Sequence, residues 1–128
     1  MSNVEKYRDA FKDAVEARSG AILLTQATLL AANIPLVVEL TSKNRLPSIY
    51  HGQEYVTLGG LMSYGPDDTE RFRRAAVIVD KILKGVKPAD LPVEQPTDFE
   101  FTINLKTAKQ IGLTIPPNVL TRADRVIK

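Results

Sequence analysis

The sequence predicts an α/β domain, a mostly parallel sheet with helices on both faces. Three observations carry that reading. "AILL" (Ala21–Leu24) is a short, wholly apolar run, as in a strand covered on both faces. Further strand-length runs, "SIY" and "LMSY", follow it. Segments with apolar residues at helical spacing separate these runs, and that alternation favours parallel strands joined by crossover helices.

Each element has a local cause. Ser2 and Glu5 have the spacing of a capping box, in which hydroxyl and carboxylate each satisfy an orphan amide. Tyr7, Phe11, Ala14 and Val15 continue that helix, and Gly20 is its expected C-cap. After "AILL" and the loop "TQAT", a second helix starts near Asn33. Pro35 suits its first turn, Leu36, Val37 and Leu40 point inward, and it ends at Lys43–Asn44. Pro47 introduces "SIY", and Gly59–Gly60 precedes "LMSY".

The clearest signal follows. Phe72, Ala75, Ala76, Val79, Ile82 and Leu83 form one apolar stripe, with Glu70, Arg71, Arg73, Arg74, Asp80, Lys81 and Lys84 opposite. Asp67 and Glu70 form a start-cap pair, and Gly85 stops the helix. Residues 86–97 hold three prolines and read as an extended connector. "FEFTINL" alternates with period two, placing Phe99, Phe101, Ile103 and Leu105 on one face. Two short helices close the chain, one stopped by Gly112 and one starting at Pro116–Pro117.

At 128 residues and 44% hydrophobic, the chain suits a single domain, 1–128. Its 17 basic and 15 acidic residues leave a net charge of +2. No basic run exceeds Arg73–Arg74, which argues against a nucleic-acid stripe. The absence of cysteine excludes disulfides, zinc–thiolate sites and thiol nucleophiles. No apolar stretch approaches the ~20 residues of a membrane span. The first residues lack a secretion signal, so the chain expressed as given is expected in the cytoplasm.

Ligands of open α/β sheets sit beyond the carboxyl ends of the strands. The positions there include Thr25, Gln26 and Thr28, then His51 and Gln53, then Tyr64 and Asp67 at the strand-to-helix junction "GGLMSYGPDD". All can hydrogen-bond, and only His51 suits general-base work at neutral pH. Plainer roles stand beside these: Thr28 and Asp67 are good helix caps, and His51 next to Gly52 is an ordinary loop residue. The chain has no GxGxxG, GxxxxGK, GxSxG or HExxH pattern. The set therefore points to recognition, with no enzyme activity, no cofactor and no metal.

"RLPSIYHGQEYVTLGGLMSYGPD" and "FRRAAVIVDKILKGVKPADLPVEQPTDFEFTINLKTAKQIGLTIPPNVLTRAD" closely resemble the C-terminal part of bacterial ABC-transporter substrate-binding proteins, some of which bind aromatic amino acids. The resemblance runs from about Arg45 to Asp124 and more loosely back to Tyr7. It implies a periplasmic-binding-protein-like (type I) lobe with its hinge region, a solute held in an interlobe cleft, an ABC permease as partner and a periplasmic location. It assigns Asp67 to a ligand ammonium and helix-end amides to a carboxylate. It also implies that the Phe72–Leu83 stripe packs on a first lobe, so alone the chain is expected either to fold that helix back onto its own sheet or to pair as a homodimer through that helix face. Two alternatives stay open: a standalone flavodoxin- or receiver-like domain in signalling or catalysis, and a truncated relic that dimerises without binding. Against a receiver, "AILLTQAT" ends in Thr, Gln and Thr where an acidic cluster belongs.

Overall fold

The computed structural model describes residues 3–26 and 31–128. Along the chain run α1 (Asn3–Glu16), β1 (Ile22–Leu24), α2 (Ile34–Lys43), β2 (Ser48–Tyr50), α3 (Gln53–Thr57) and β3 (Met62–Pro66). They are followed by α4 (Asp68–Leu83), β4 (Phe99–Asn104), α5 (Leu105–Ile111), α6 (Pro117–Leu120) and β5 (Arg125–Ile127). The strands form one sheet in the order β1-β2-β3-β4-β5. Pairing is parallel between β1 and β2, β2 and β3, and β4 and β5. The α/β prediction holds, and the carboxyl ends of β1, β2 and β3 share one edge.

Among the described residues, two strand or α-helix elements escaped the sequence reading. Helix α3 occupies what read as a loop between two strands, and β5 follows the short closing helices. Both are too short for periodicity to declare them; α3 has five residues and β5 three. Ser2 of the expected capping box lies outside the described residues.

The ends of α1 to α5 share one device. The Schellman pattern pairs the second amide beyond the C-cap with the carbonyl five residues back, and it needs a left-handed residue between them. After α3 this residue is Gly59 (φ 102°), and Gly60 N–H donates to the Tyr55 carbonyl at 2.8 Å. After α1 and α2, however, the left-handed position holds an arginine. Arg18 sits at φ 53° with Ser19 N–H on the Ala14 carbonyl, and Arg45 at φ 51° with Leu46 N–H on the Thr41 carbonyl. Gly20 is thus not the cap of α1, because the helix has already turned at Arg18.

The chain divides into two compact units, residues 1–65 with 100–128, and residues 66–99. In the first unit α1 and α2 cover one part of the sheet through Phe11, Leu24, Val37, Val38, Leu40, Leu46, Tyr50 and Tyr55. Val15, expected on the inner face of α1, is exposed. A second cluster gathers Leu61, Ile103, Ala108 and Ile115. Asn104 fastens it: its N–H donates to the Leu61 carbonyl at 2.8 Å, and its side chain accepts from Thr107 N–H at 3.1 Å. Thr107 Oγ1 then donates to the Gly59 carbonyl at 2.8 Å, tying α5 to the end of α3.

In the second unit, Asp67 caps α4 by accepting from Thr69 N–H at 2.8 Å. Glu70, the expected second half of that cap, pairs with Arg73 and Arg74 instead. Arg74 also reaches Glu94 at 3.7 Å and Asp98 at 3.2 Å, holding the proline-rich segment to the helix. That segment contains one 3₁₀ turn, Pro88–Asp90. No residue of α4 is buried; Phe72 and Leu83 of its apolar stripe are 72% and 82% exposed. No helix among the described residues is long and apolar enough to cross a membrane.

A left-handed arginine carries steric strain that glycine avoids. Arg45→Gly is therefore expected to stabilise the fold by about 0.5–1 kcal/mol, read as a higher denaturant midpoint. A lower midpoint would mean that the Arg45 side chain contributes more than its backbone loses.

Candidate functional site

Register assembles the site. Leu24 pairs with Tyr50, and Tyr50 with Ser63, so the residues that follow, Thr25, His51 and Tyr64, occupy successive rows at the carboxyl edge. Thr25 and Gln26 are exposed, while His51 and Gln53 are half-buried at the end of β2 and the start of α3. Tyr64 is 55% exposed and meets Phe101 edge-on at 6.4 Å. Thr28 lies outside the described residues. Asp67 belongs to the 66–99 unit, where one carboxylate oxygen serves as the α4 cap.

Behind this edge stands an aromatic wall that the sequence reading did not single out. Tyr50 and Tyr55 stack with centroids 4.7 Å apart and planes 13° from parallel. His51 packs edge-on against Tyr55 at 5.3 Å. Tyr50 is held by a relay of hydroxyls: Ser48 Oγ donates to Tyr50 OH at 2.9 Å, and Tyr50 OH lies 2.7 Å from Thr41 Oγ1. Because Thr41 donates its hydrogen to the Val38 carbonyl at 2.9 Å, Tyr50 is the donor to Thr41.

Burial pushes the Tyr50 phenol above its usual pKa of 10.0, opposed by its hydrogen bonds to Ser48 and Thr41. Burial also raises Tyr55, helped by the Glu54 carboxylate and the neighbouring Tyr50 and Tyr7. Among the described residues, Tyr7 OH, His51 Nδ1, Tyr55 OH and Ser63 Oγ are buried polar atoms with no hydrogen-bond partner. Such atoms cost about 1–3 kcal/mol each. The wall is aromatic and rich in donors and acceptors.

Gly65 decides how closely β3 approaches β2. A Cβ at Gly65 would overlap the His51 carbonyl oxygen, so no other residue lets the two backbones meet here. The sequence reading ended this strand at Tyr64; the structure carries it on to Pro66, and a glycine inside a strand marks a close backbone approach. Gly52 is similar: the Glu54 carboxylate folds back over it and fills the space of a side chain. That places an acid beside His51 and Gln53 which the sequence reading did not single out.

Among the described residues, no group of three His, Cys, Asp or Glu side chains could hold a metal ion. Tyr50 and Tyr55 are themselves buried, so the groups open to a small molecule are those along the edge, exposed Thr25 and Gln26 with half-buried His51 and Gln53, and they suit hydrogen bonding.

The sequence profile of the family described as "ABC transporter substrate binding protein" matches residues 2–127. The chain belongs to that family. Its members are binding proteins and not enzymes, which decides against the receiver- or flavodoxin-like alternative. A solved ABC-domain structure from Streptococcus pneumoniae in complex with L-Trp is similar over 97% of this chain and 43% of its own, with 28% identity and a TM-score of 0.85. A conserved domain protein from Vibrio cholerae is similar over 96% of this chain and 41% of its own, with 27% identity and a TM-score of 0.87. A tyrosine-binding protein of Clostridioides difficile is 26% identical over 85 residues, 66% of this chain and 25% of that protein. The chain thus spans less than half the length of these relatives.

Two outcomes test the wall. Gly65→Ala is expected to cost about 1–3 kcal/mol through backbone overlap, visible in thermal denaturation. Raising the pH above 10.0 is expected to unfold the protein progressively, because the unfolded tyrosines lose their protons before the folded ones with raised pKa. Tyr50→Phe should flatten that alkaline slope in circular-dichroism melts; an unchanged slope would remove Tyr50 from the account.

Proposed function

We propose that this chain is the solute-facing portion of an extracytoplasmic binding protein that carries an aromatic amino acid to an ABC permease. The observation that supports this most is the carboxyl-edge set Thr25, Gln26, His51 and Gln53, backed by stacked tyrosines, in a fold shared with a relative solved with L-Trp. Thr25, Gln26 and Gln53 supply neutral donors and acceptors. His51 and Tyr64 flank the ring, and Asp67 is assigned to the ammonium on its charge. Helix-end amides are assigned to the carboxylate.

The test is a titration with L-tryptophan, L-tyrosine and L-leucine, followed by ¹⁵N NMR. The aromatic amino acids should shift the amides of Thr25, Gln26 and residues 50–53, and leucine should not. His51→Ala and Asp67→Ala should each weaken binding by about tenfold, or 1.4 kcal/mol. No response to any aromatic amino acid would reject the reading. Unchanged affinity in Asp67→Ala would leave that residue as a helix cap alone.

A further inference from the structure

We propose that Glu54 is the carboxylate of the first unit that receives the ammonium of the solute; this rests on the aromatic-amino-acid reading above and names the residue that favours an amino acid over the same ring without an amino group. Residues 25–26, 51–54 and 64–65 make the carboxyl edge of β1, β2 and β3 in this unit, and Glu54 is their only acid. Asp67 lies in the 66–99 unit, where one of its oxygens caps α4. An ammonium brought to an edge of hydroxyls, amides and an imidazole has one full negative charge there to meet.

The carboxylate is turned toward that edge. Glu54 stands in the first turn of α3, where a side chain could extend into solvent. Instead it folds back over Gly52, and its carboxyl group occupies the space that a Cβ would take there. Gly52 lies between His51 and Gln53, so the charge sits at the end of β2. Among the described residues the carboxylate has no hydrogen bond and no ion pair. The Gly52 backbone, at φ −138°, is open to any residue, so the position requires glycine for its space and not for its angle. A plainer role for Glu54 is a favourable charge at a helix start. That role acts on stability and does not distinguish one solute from another.

Isothermal titration calorimetry with L-tryptophan and with indolepropionate, the same molecule without its ammonium, separates the two roles. The unaltered chain should prefer L-tryptophan. Glu54→Gln removes the charge at nearly constant shape and should shrink that preference by about threefold, the scale of an exposed ion pair. Gly52→Ala keeps the charge but displaces the carboxylate from the strand end, and should shrink the preference as well. Both effects should fade at about 1 M salt, which screens an exposed pair. A preference that either variant leaves unchanged overturns the proposal, even where the melting temperature falls. Failure of the underlying reading looks different: the unaltered chain then does not bind L-tryptophan at all, and Glu54 has no ammonium to hold.

Discussion

The first unit depends on the seating of Tyr50. This one residue sits at the end of β2, reaches α2 through Thr41, and stacks on Tyr55 of α3. A buried phenol without partners would destabilise the core, whereas here Ser48 and Thr41 satisfy it and fix its rotamer. The stack adds about 0.5–1.5 kcal/mol beyond the area it buries. Its larger consequence is positional. With Tyr50 and Tyr55 fixed, α3 begins immediately beyond β2, and His51 turns its ring against Tyr55 at the carboxyl edge.

From that seat the chemistry of the edge follows. Parallel strands bring the ends of β1, β2 and β3 together, and the close approach of Gly65 to His51 keeps β3 tight against β2. The groups that collect there are hydroxyls, amides and rings. A surface of this kind distinguishes molecules by shape and hydrogen-bond pattern. That agrees with a family of binding proteins.

The 66–99 unit is held by different forces. Its helix buries no residue, so cohesion between α4 and the returning segment falls to polar contacts centred on Arg74, with Glu70, Glu94, Asp98 and Thr97 around it. Isolated surface pairs contribute little, but one guanidinium shared among three carboxylates loses its side-chain entropy once for several contacts. Charge thus organises a segment whose apolar stripe faces outward.

Patterns local to a few residues were legible in the sequence: the α4 stripe, the Asp67 cap, the end of α5 at Gly112 and the alternation of β4. Each expresses a helix or strand period, or a terminus chemistry, that acts over a turn or two. The grouping of Thr25 with His51 and Tyr64 was legible as a list of strand ends, because parallel topology makes such ends coincide. The tertiary structure decided what depends on distant neighbours. Tyr50 and Tyr55 became a wall because two tyrosines five positions apart stack across a strand and a helix, which no period encodes. Arg18 and Arg45 took backbone angles normally left to glycine, at the turns that end α1 and α2. Gly65 matters through the carbonyl of His51, a contact between strands that exists only once the sheet has formed.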